Sequence, residues 1–357
     1  MNLKKIEDVG LGDLPPTIAG DVLTAFDSEN RKFNKFWQIT LKVTDACALR
    51  CSYCTQYVKS GAVELTPRFL NGLVDLLKTR SIAQGYLLTG GEPLHHRNFE
   101  AILRPFSESS AVFDVNTSLA SSRRKVQCLL NALPRTIRYS IHSMDAEESR
   151  NFNGTESWET VISNARMIAD SSLRPPRVEI NTHVSNTNFR STVQRLEWIS
   201  EVLMPDDINI FPVYDLKEMQ LDKRHAEEFY SSVLPAIIDL AENRKFAGLK
   251  TRALRLLGDP SRYGKEGPKY VNHSSNCHAG RSILYIDNFQ DVYACVSQQI
   301  HRKSDGALHL GHINEPNDLI DIVDGQDPGG FDPNGNAVCS RYCPLFFSMV
   351  NNFVRSL

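Results

Sequence analysis

Short apolar segments alternate with amphipathic ones over the first 215 residues of the chain. Residues 36–44 alternate between polar and apolar side chains, which is typical of a strand. Further strand candidates occupy 85–94, 111–117, 136–142, 177–184 and 207–213. Helical patterns separate them, for example at 67–78, 122–132 and 158–170. Six strands that alternate with helices predict a parallel α/β sheet, which right-handed crossovers curl toward a barrel.

Polar side chains recur at every second position on one face of five of these strands. This polar stripe comprises Gln38, Thr40, Lys42, Asp114, Asn116, Arg138, Ser140, His142, Glu179, Asn181, His183 and Asn209. A closed barrel is normally packed with apolar side chains, and both faces of a buried parallel sheet are normally apolar. The stripe therefore predicts a wet lumen that holds a ligand, with His142, Glu179 and His183 as candidates for a catalytic role. A network of mutually satisfied buried groups is the alternative on one or two strands.

Charge and hydropathy exclude several classes of protein. The 40 basic and 42 acidic residues give a formal net charge of −2, so the electrostatics favour neither nucleic acid nor an anionic membrane as a partner. No stretch approaches the roughly 18 apolar residues of a membrane span, and no apolar run follows Met1 to Ile6 as in a signal peptide. We therefore expect a cytoplasmic protein, whose cysteines are metal ligands or nucleophiles and not disulfides.

Three of the eight cysteines lie within eight residues, as Cys47, Cys51 and Cys54 in a C-x3-C-x2-C pattern. No further cysteine or histidine follows for many residues. Three thiolates in one loop suit three irons of a [4Fe–4S] cluster and leave the fourth iron without a protein ligand. An open coordination position is typical of a catalytic metal site. The alternative is a zinc knuckle that takes a distant fourth ligand.

The cysteine motif after the first strand and Thr89-Gly90-Gly91-Glu92-Pro93 after the second together resemble the radical S-adenosylmethionine (radical SAM) enzymes, over about residues 36–215. The resemblance implies a partial, six-stranded TIM-like barrel. It also implies that the amino and carboxylate groups of SAM chelate the open iron. One electron then cleaves SAM to methionine and a 5′-deoxyadenosyl radical, which removes a hydrogen atom from the substrate.

The same resemblance assigns a set of SAM contacts. It implies that Gly90 and Gly91 allow a close backbone approach, that Glu92 meets the SAM ammonium, and that Tyr53 meets the adenine. Asn116, Ser140 and Asn181 occupy positions where the family places polar contacts to the ribose and carboxylate. The alternatives are a β-turn with an exposed acid at Glu92 and a packing aromatic at Tyr53. His142 stands where many relatives with similar C-terminal domains have an aspartate.

Four more cysteines lie near the C-terminus. Residues 282–287 and 292–295 predict a β-hairpin with Cys277 and Cys295 near its ends, and Cys339 and Cys343 follow at a C-x3-C spacing. The pattern resembles the twitch domain, a short form of the SPASM extension of radical SAM enzymes. We predict one auxiliary [4Fe–4S] cluster on these four cysteines, with a structural zinc as the alternative. Cys128 lies in an apolar helical run and is expected to be a core thiol.

These patterns divide the chain into an N-terminal extension (1–35), a radical SAM barrel (36–221), a helical bridge (222–270) and a twitch/SPASM-like α+β domain with a tail (271–357). Because the extension is too short for a separate peptide-recognition domain, we expect a small natural-product intermediate, such as a sugar, aminocyclitol or nucleoside, as the substrate. A peptide-modifying epimerase or cross-linking enzyme is the alternative within the class, and a zinc scaffold is the alternative outside it. The resemblance also implies a flavodoxin- or ferredoxin-type electron donor.

Overall fold

The computed structural model describes residues 16–29, 32–54, 63–213, 218–258, 279–280, 282–295 and 309–325. The strands are β1 (Phe26–Asp27), β2 (Lys32–Phe33), β3 (Gln38–Thr44), β4 (Tyr86–Gly90), β5 (Phe113–Thr117), β6 (Thr136–Ser140), β7 (Arg177–Val184), β8 (Asp207–Pro212), β9 (Ile283–Ile286), β10 (Asp291–Tyr293) and β11 (His309–His312). The helices are α1 (Pro16–Ala25), α2 (Pro67–Thr79), α3 (Phe99–Ser109), α4 (Arg123–Asn131), α5 (Ala146–Asn153), α6 (Trp158–Ala169), α7 (Thr192–Val202), α8 (Lys223–Glu228), α9 (Leu234–Arg244), α10 (Ala247–Gly258) and α11 (Asp318–Asp324). Pro93–His95 forms a 3-10 turn, and Phe229–Val233 is a π-helical segment between α8 and α9.

Within the described residues, nine strands form one sheet in the order β11-β10-β9-β3-β4-β5-β6-β7-β8. Strands β3 to β8 are parallel and neighbour one another in chain order, which confirms the partial six-stranded barrel. Strand β9 adds to the free edge of β3 in parallel, and β10 and β11 follow it antiparallel. The predicted C-terminal hairpin is therefore confirmed, but it continues the barrel sheet directly.

Burial on the outer face of the sheet explains why the helices pack where they do. Ile39, Leu41 and Val43 of β3 are fully buried, and α2 packs Leu70 and Leu73 into the same apolar core. Helix α2 begins where the sequence predicts it, because Thr66 accepts a hydrogen bond from the Phe69 amide at 3.2 Å and Pro67 occupies the first turn. The alternate side chains of β3 then face the lumen.

The predicted helical bridge contains α8, the π-helical segment, α9 and α10. Its last helix is tied to the barrel, because Asp207 at the start of β8 accepts hydrogen bonds from the amides of Gly248 (2.9 Å) and Leu249 (3.1 Å). The boundaries of the four predicted regions stay predictions. No helix within the described ranges is long and apolar enough to cross a membrane.

One of the predicted cysteine assignments, the auxiliary cluster, reaches outside these ranges. Cys277, Cys339 and Cys343 lie outside the described residues, whereas Cys295 follows β10 and is buried. The auxiliary cluster therefore stays a prediction. Cys128 is half-buried on α4, where its thiol lies 3.3 Å from a carboxylate oxygen of Glu100. It packs against the edge of the core and also meets a surface acid.

Candidate functional site

Three half-buried thiols lie on the loop that follows β3. Burial is the main reason why the pKa of Cys51 rises to about 12, and the nearby thiols of Cys54 and Cys47 raise it further. The three sulfur atoms are thus close enough for their negative charges to repel one another. A set of mutually repelling thiolates fits a cationic partner such as iron, which binds the deprotonated form of cysteine.

The arrangement is not that of a site for one ion. No three His, Cys, Asp or Glu side chains among the described residues converge around a point where a single metal ion would sit. A four-iron cluster contacts three cysteines through three separate irons, so it does not require such convergence. The residues present fit the cluster that the sequence predicts.

The end of α5 holds the middle of the cysteine loop. The Arg50 amide donates to the carbonyl oxygen of Asn153 at 2.8 Å, and the Ser52 amide donates to that of Phe152 at 3.0 Å. The side-chain oxygen of Asn153 also lies 3.7 Å from the sulfur of Cys51. The carbonyl groups that α5 leaves free at its last turn thus support the loop on both sides of Cys51.

The two glycines after β4 hold the beginning of the same loop. The Gly91 amide donates to the carbonyl oxygen of Thr44 at 2.8 Å, and the Glu92 amide donates to that of Ala46 at 2.7 Å. A Cβ atom on Gly91 would lie 2.5 Å from the Ala46 carbonyl oxygen, and one on Gly90 would lie 2.5 Å from that of Thr44. Both positions therefore exclude a side chain, and the close approach they allow is to the backbone of the cysteine loop.

The carboxylate of Glu92 is buried and lies at the centre of a hydrogen-bond cluster. It accepts from the Leu94 amide at 3.1 Å, the Thr117 hydroxyl at 2.6 Å and the Ser118 amide at 2.6 Å, and also from the Ser118 hydroxyl. These contacts join the end of β4 to the end of β5. Glu92 is therefore not the exposed acid of a β-turn that the sequence analysis gave as the alternative. Glu92 is a fixed negative charge beside the start of the cysteine loop.

Tyr53 points into the lumen, where it meets two histidines. Its hydroxyl oxygen lies 2.5 Å from Nε2 of His142, and its ring stacks on that of His183 with the centroids 4.2 Å apart. Because Nδ1 of His142 accepts the His183 amide at 3.0 Å, the proton of neutral His142 lies on Nε2 and is donated to Tyr53. Burial lowers the pKa of His183 to about 4 and that of His142 well below its usual value. Both imidazoles are therefore neutral at pH 7.

Two polar residues that the sequence analysis did not single out hold these histidines in place. The side-chain amide of Asn188 donates to the carbonyl oxygens of His142 (3.2 Å) and His183 (3.1 Å). The fully buried Arg195 lies beside the carbonyl oxygen of His183 at 3.4 Å and binds the Thr182 hydroxyl at 3.1 Å. The sequence signal was weak, because one asparagine in a loop and one arginine on a helix do not reveal that they share a partner.

An ion-pair network lies at the amino-terminal ends of the strands and joins Asp114, Arg138 and Glu179 of the polar stripe to further charged residues. Its members are Asp114, Arg135, Arg138, Glu179, Arg177 and Asp207. Burial alone would raise the pKa of Glu179, but the charges of Arg138 and Arg177 outweigh it and lower the pKa to about 2. The sequence analysis allowed for a network of satisfied buried groups on one or two strands. The observed network is larger, because it reaches from β5 to β8.

The upper half of the stripe keeps unsatisfied polar atoms. Asn209 donates to the side-chain oxygen of Asn181 at 3.0 Å, and Ser140 is the cross-strand neighbour of Asn181. Among the described residues, the side-chain oxygen of Asn116 and Nδ1 of His183 are buried without a hydrogen-bond partner. Buried groups of this kind are costly unless a ligand or water satisfies them. These atoms therefore fit a polar ligand above the ion-pair network.

Comparisons with known proteins agree with this geometry. The profile of the radical SAM superfamily matches residues 41–196, which include the end of β3, the cysteine loop and the four barrel strands β4 to β7. The GTP 3′,8-cyclase of Klebsiella pneumoniae subsp. pneumoniae is 28% identical over 139 residues, which are 36% of this chain and 41% of the cyclase. The chain thus matches about two-fifths of the length of this curated relative.

Solved structures share the fold at low sequence identity. Streptococcus suis SuiB bound to the precursor peptide SuiA has a TM-score of 0.61 and 13% identity, with 87% of this chain and 68% of SuiB covered. Native anSMEcpe with bound AdoMet and the Cp18Cys peptide has a TM-score of 0.56 and 15% identity, with 81% and 80% covered. The match of residues 41–196, together with the cysteine loop and the Gly-Gly-Glu turn within them, identifies this part of the chain as a radical SAM enzyme domain. A [4Fe–4S] cluster and SAM are accordingly its cofactors.

Proposed function

We propose that the protein uses SAM and the cluster on Cys47, Cys51 and Cys54 to remove a hydrogen atom from a peptide substrate. When bound, the cluster and SAM supply reductive cleavage of SAM and an adenosyl radical. The observation that supports this most directly is the cysteine loop itself, fixed at its start by Gly91 and Glu92 and in its middle by α5. That loop lies at the mouth of a lumen whose upper half has unsatisfied polar atoms.

The residues of the chain have separate parts in this function. Glu92 presents a fixed carboxylate that pairs with the ammonium group of SAM. Asn116, Ser140 and Asn181 supply neutral hydrogen-bonding groups for its ribose and carboxylate. Tyr53 and His183 offer aromatic faces, and the unpartnered Nδ1 of His183 is the group best placed to bind or move a substrate proton. Burial lowers the pKa of that imidazole to about 4, so it is neutral at pH 7 and hydrogen-bonds without carrying a charge.

A peptide substrate is supported by the chemistry of the upper lumen and by the structural neighbours. Tyr53, His142, His183 and Phe211 surround it with neutral and aromatic side chains, and the rings of His183 and Phe211 lie 5.8 Å apart. SuiB and anSMEcpe, which share the fold, were both solved with peptides bound. This reverses the order of preference that the short N-terminal extension suggested.

A small-molecule substrate is the second candidate. It is favoured by the 28% identity to a GTP 3′,8-cyclase. However, the lumen-facing cations Arg138, Arg177 and Lys42 are all ion-paired with acids of the chain, which does not favour a triphosphate. We also propose an auxiliary [4Fe–4S] cluster on Cys277, Cys295, Cys339 and Cys343, and a flavodoxin- or ferredoxin-type electron donor.

Iron content tests the cofactor part of the proposal. Protein reconstituted under anaerobic conditions is expected to hold about eight irons, from two four-iron clusters. A Cys47/Cys51/Cys54→Ala triple variant should keep about half of that iron and lose SAM cleavage. A colourless native protein with stoichiometric zinc would contradict the cofactor assignment.

The substrate class is tested by the rate of 5′-deoxyadenosine formation with SAM and dithionite. We expect a panel of synthetic peptides to raise this rate, with a mass change in at least one peptide. GTP, sugars and aminocyclitols serve as the parallel panel. Stimulation and product formation by that second panel alone would replace the peptide by a small molecule, while the radical SAM assignment would stand.

A further inference from the structure

A turn of the C-terminal hairpin reaches the base of the cysteine loop. Strand β9 runs parallel to β3, with Gln38 opposite Ile283 and Leu41 opposite Ile286. The carboxyl ends of the two strands therefore lie side by side. As a result, residues 287–290, which connect β9 to β10, lie next to the point where the cysteine loop leaves β3.

Within this turn, Asn288 is buried although its neighbour Phe289 is 42% exposed. Its side-chain amide donates to a carboxylate oxygen of Asp45 at 2.9 Å and to the carbonyl oxygen of Val63 at 3.1 Å. Two acceptors at hydrogen-bond distance fix which end of the amide faces them. Asp45 lies two residues before Cys47, and Val63 lies beyond Cys54. One side chain thus contacts both ends of the segment that contains all three cysteines.

The contact is charge-assisted and shielded from solvent. The other carboxylate oxygen of Asp45 pairs with Lys42, and both of these side chains are buried. Each oxygen of Asp45 therefore has its own partner, Lys42 from the barrel and Asn288 from the C-terminal hairpin. Hydrogen bonds to an ionised acceptor are stronger than neutral ones, and their loss inside a protein leaves a buried charge underpaired.

The turn that presents Asn288 is itself rigid. A carboxylate oxygen of Asp287 accepts from the amides of Phe289 (2.8 Å) and Asp291 (3.0 Å). The Ile313 amide, just after β11, donates to the Gln290 carbonyl oxygen at 3.0 Å. The hairpin is anchored on the barrel by β9 and places the amide of Asn288 at a fixed point.

We propose that Asn288 is a positioning residue for the cluster-binding loop, by which the C-terminal segment holds the two ends of the loop together. This inference rests on the proposed role of Cys47, Cys51 and Cys54 as cluster ligands. It predicts that the loop takes its binding geometry only when the hairpin is docked. Cluster loading at the SAM site is therefore coupled to a residue more than 220 positions away in the chain.

Hydrogen exchange of the protein without iron tests this directly. In Asn288→Ala, amides of residues 45–54 should exchange roughly ten- to a hundredfold faster than in the wild type, because one charge-assisted hydrogen bond is lost. Amides of β5 to β8 should keep their wild-type rates. Phe289→Ala is the matched control in the same turn and should leave exchange of residues 45–54 unchanged. Equal exchange of these residues in Asn288→Ala and Phe289→Ala would overturn the proposal.

A reciprocal exchange of the two side chains separates positioning from general damage. Asn288→Asp places two carboxylates together and should accelerate exchange of residues 45–54. Adding Asp45→Asn restores a donor and an acceptor and should recover most of the protection. If Asn288→Ala does not fold, the comparison of Asn288→Asp with the double variant decides. Exchange of residues 45–54 that is as fast in the double variant as in Asn288→Asp would overturn the proposal.

The rate of iron loss from the same variants tests whether the contacts of Asn288 affect the cluster. In Asn288→Ala, a chelator should remove about half of the iron at least tenfold faster than in Phe289→Ala, and the reciprocal double variant should slow this loss again. A wild-type protein that takes up no iron would end the proposed function, while the exchange data would still decide whether Asn288 holds the loop.

Discussion

At the scale of single residues, Glu92 has two roles that a pair of variants separates. Glu92→Gln should weaken SAM binding roughly ten- to a hundredfold, because a charge-assisted hydrogen bond of about 1.5–3 kcal/mol is lost. Thr117→Val removes one of its donors, at 2.6 Å, and should lower the stability by about 1 kcal/mol while SAM affinity stays within a few-fold. Isothermal titration of the reconstituted variants measures SAM affinity, and urea unfolding measures the stability. An unchanged SAM affinity in Glu92→Gln would remove this residue from the site.

His183 gives the fold a pH dependence of known sign. Its pKa of about 4 lies below the value of about 6.5 in the unfolded chain, because it is buried and faces Tyr53, His142 and the cation of Arg195. Between these pH values the unfolded chain binds a proton that the folded chain does not. The stability contributed by neutral His183 is therefore full above about pH 6.5 and is lost as the pH falls toward 4.

The expected loss for His183 is on the order of 3 kcal/mol across that window. His183→Phe keeps the stacking on Tyr53 and should remove this part of the slope, whereas His142 and His96, whose pKa values burial also lowers, should still contribute. Urea unfolding of the iron-free protein at several pH values measures the effect, with the exposed His312→Gln as the control. Equal slopes for wild type and His183→Phe would contradict the assignment.

At the scale of secondary structure, two helical glycines should respond oppositely to the same substitution. In α10, a Cβ on Gly248 would lie 2.5 Å from the Asp207 carboxylate that caps this helix, so Gly248→Ala should cost about 1–3 kcal/mol. In α1, Gly20 has nothing within 4 Å of that position, so Gly20→Ala should stabilise by up to about 1 kcal/mol. Thermal unfolding distinguishes them. If Gly248→Ala were instead more stable than the wild type, the Asp207 carboxylate could shift away from the new Cβ without a loss of stability.

Local patterns predicted most of these elements. The six strands and the helices at 67–78, 122–132 and 158–170 were readable because polarity alternates with the period of the strand or helix and because Thr66 and Pro67 mark a helix start. The pairing of β9 with β3 was not readable, since a four-residue apolar strand fits any free edge. Only the tertiary fold shows which edge is open.

At the scale of the whole molecule, Glu179 belongs to the network that closes the lower lumen. It lies 2.6 Å from Arg138 and also contacts Arg177 and Asn209. Glu179→Gln should destabilise the fold by about 3 kcal/mol or more, because it leaves buried arginine charge underpaired. SAM affinity of the folded protein should stay within about twofold, since the contacts of Glu179 lie below the proposed site.

Chemical denaturation and SAM titration of Glu179→Gln check both halves of that expectation. Glu100→Gln is the matched control, since Glu100 pairs with Arg124 at the exposed surface and its loss should not change the unfolding midpoint measurably. A stable Glu179→Gln that no longer binds SAM would instead favour a direct role in the site.

The sequence by itself determined the barrel and the cysteine motif, because both depend on local order along the chain. Alternation of polarity marks each strand, and three cysteines within eight residues need no distant partner to be recognised. The resemblance to radical SAM enzymes pointed to Glu92 and Asn116 as SAM contacts, and the alternation of polar residues pointed to His183 as a lumen residue; these roles stay predictions.

Only the tertiary structure shows which polar residues line the open end of the lumen and which form ion pairs that stabilise the fold. Glu179 and His183 are alternate residues of one strand and have the same pattern in the sequence. Glu179 meets Arg138 and Arg177 at the closed end, whereas His183 meets Tyr53 at the open end. Asn288 meets Asp45 across 243 positions. Such pairings depend on distances in space, which hydrophobic periodicity does not encode, because it specifies a face and leaves the partner on that face open.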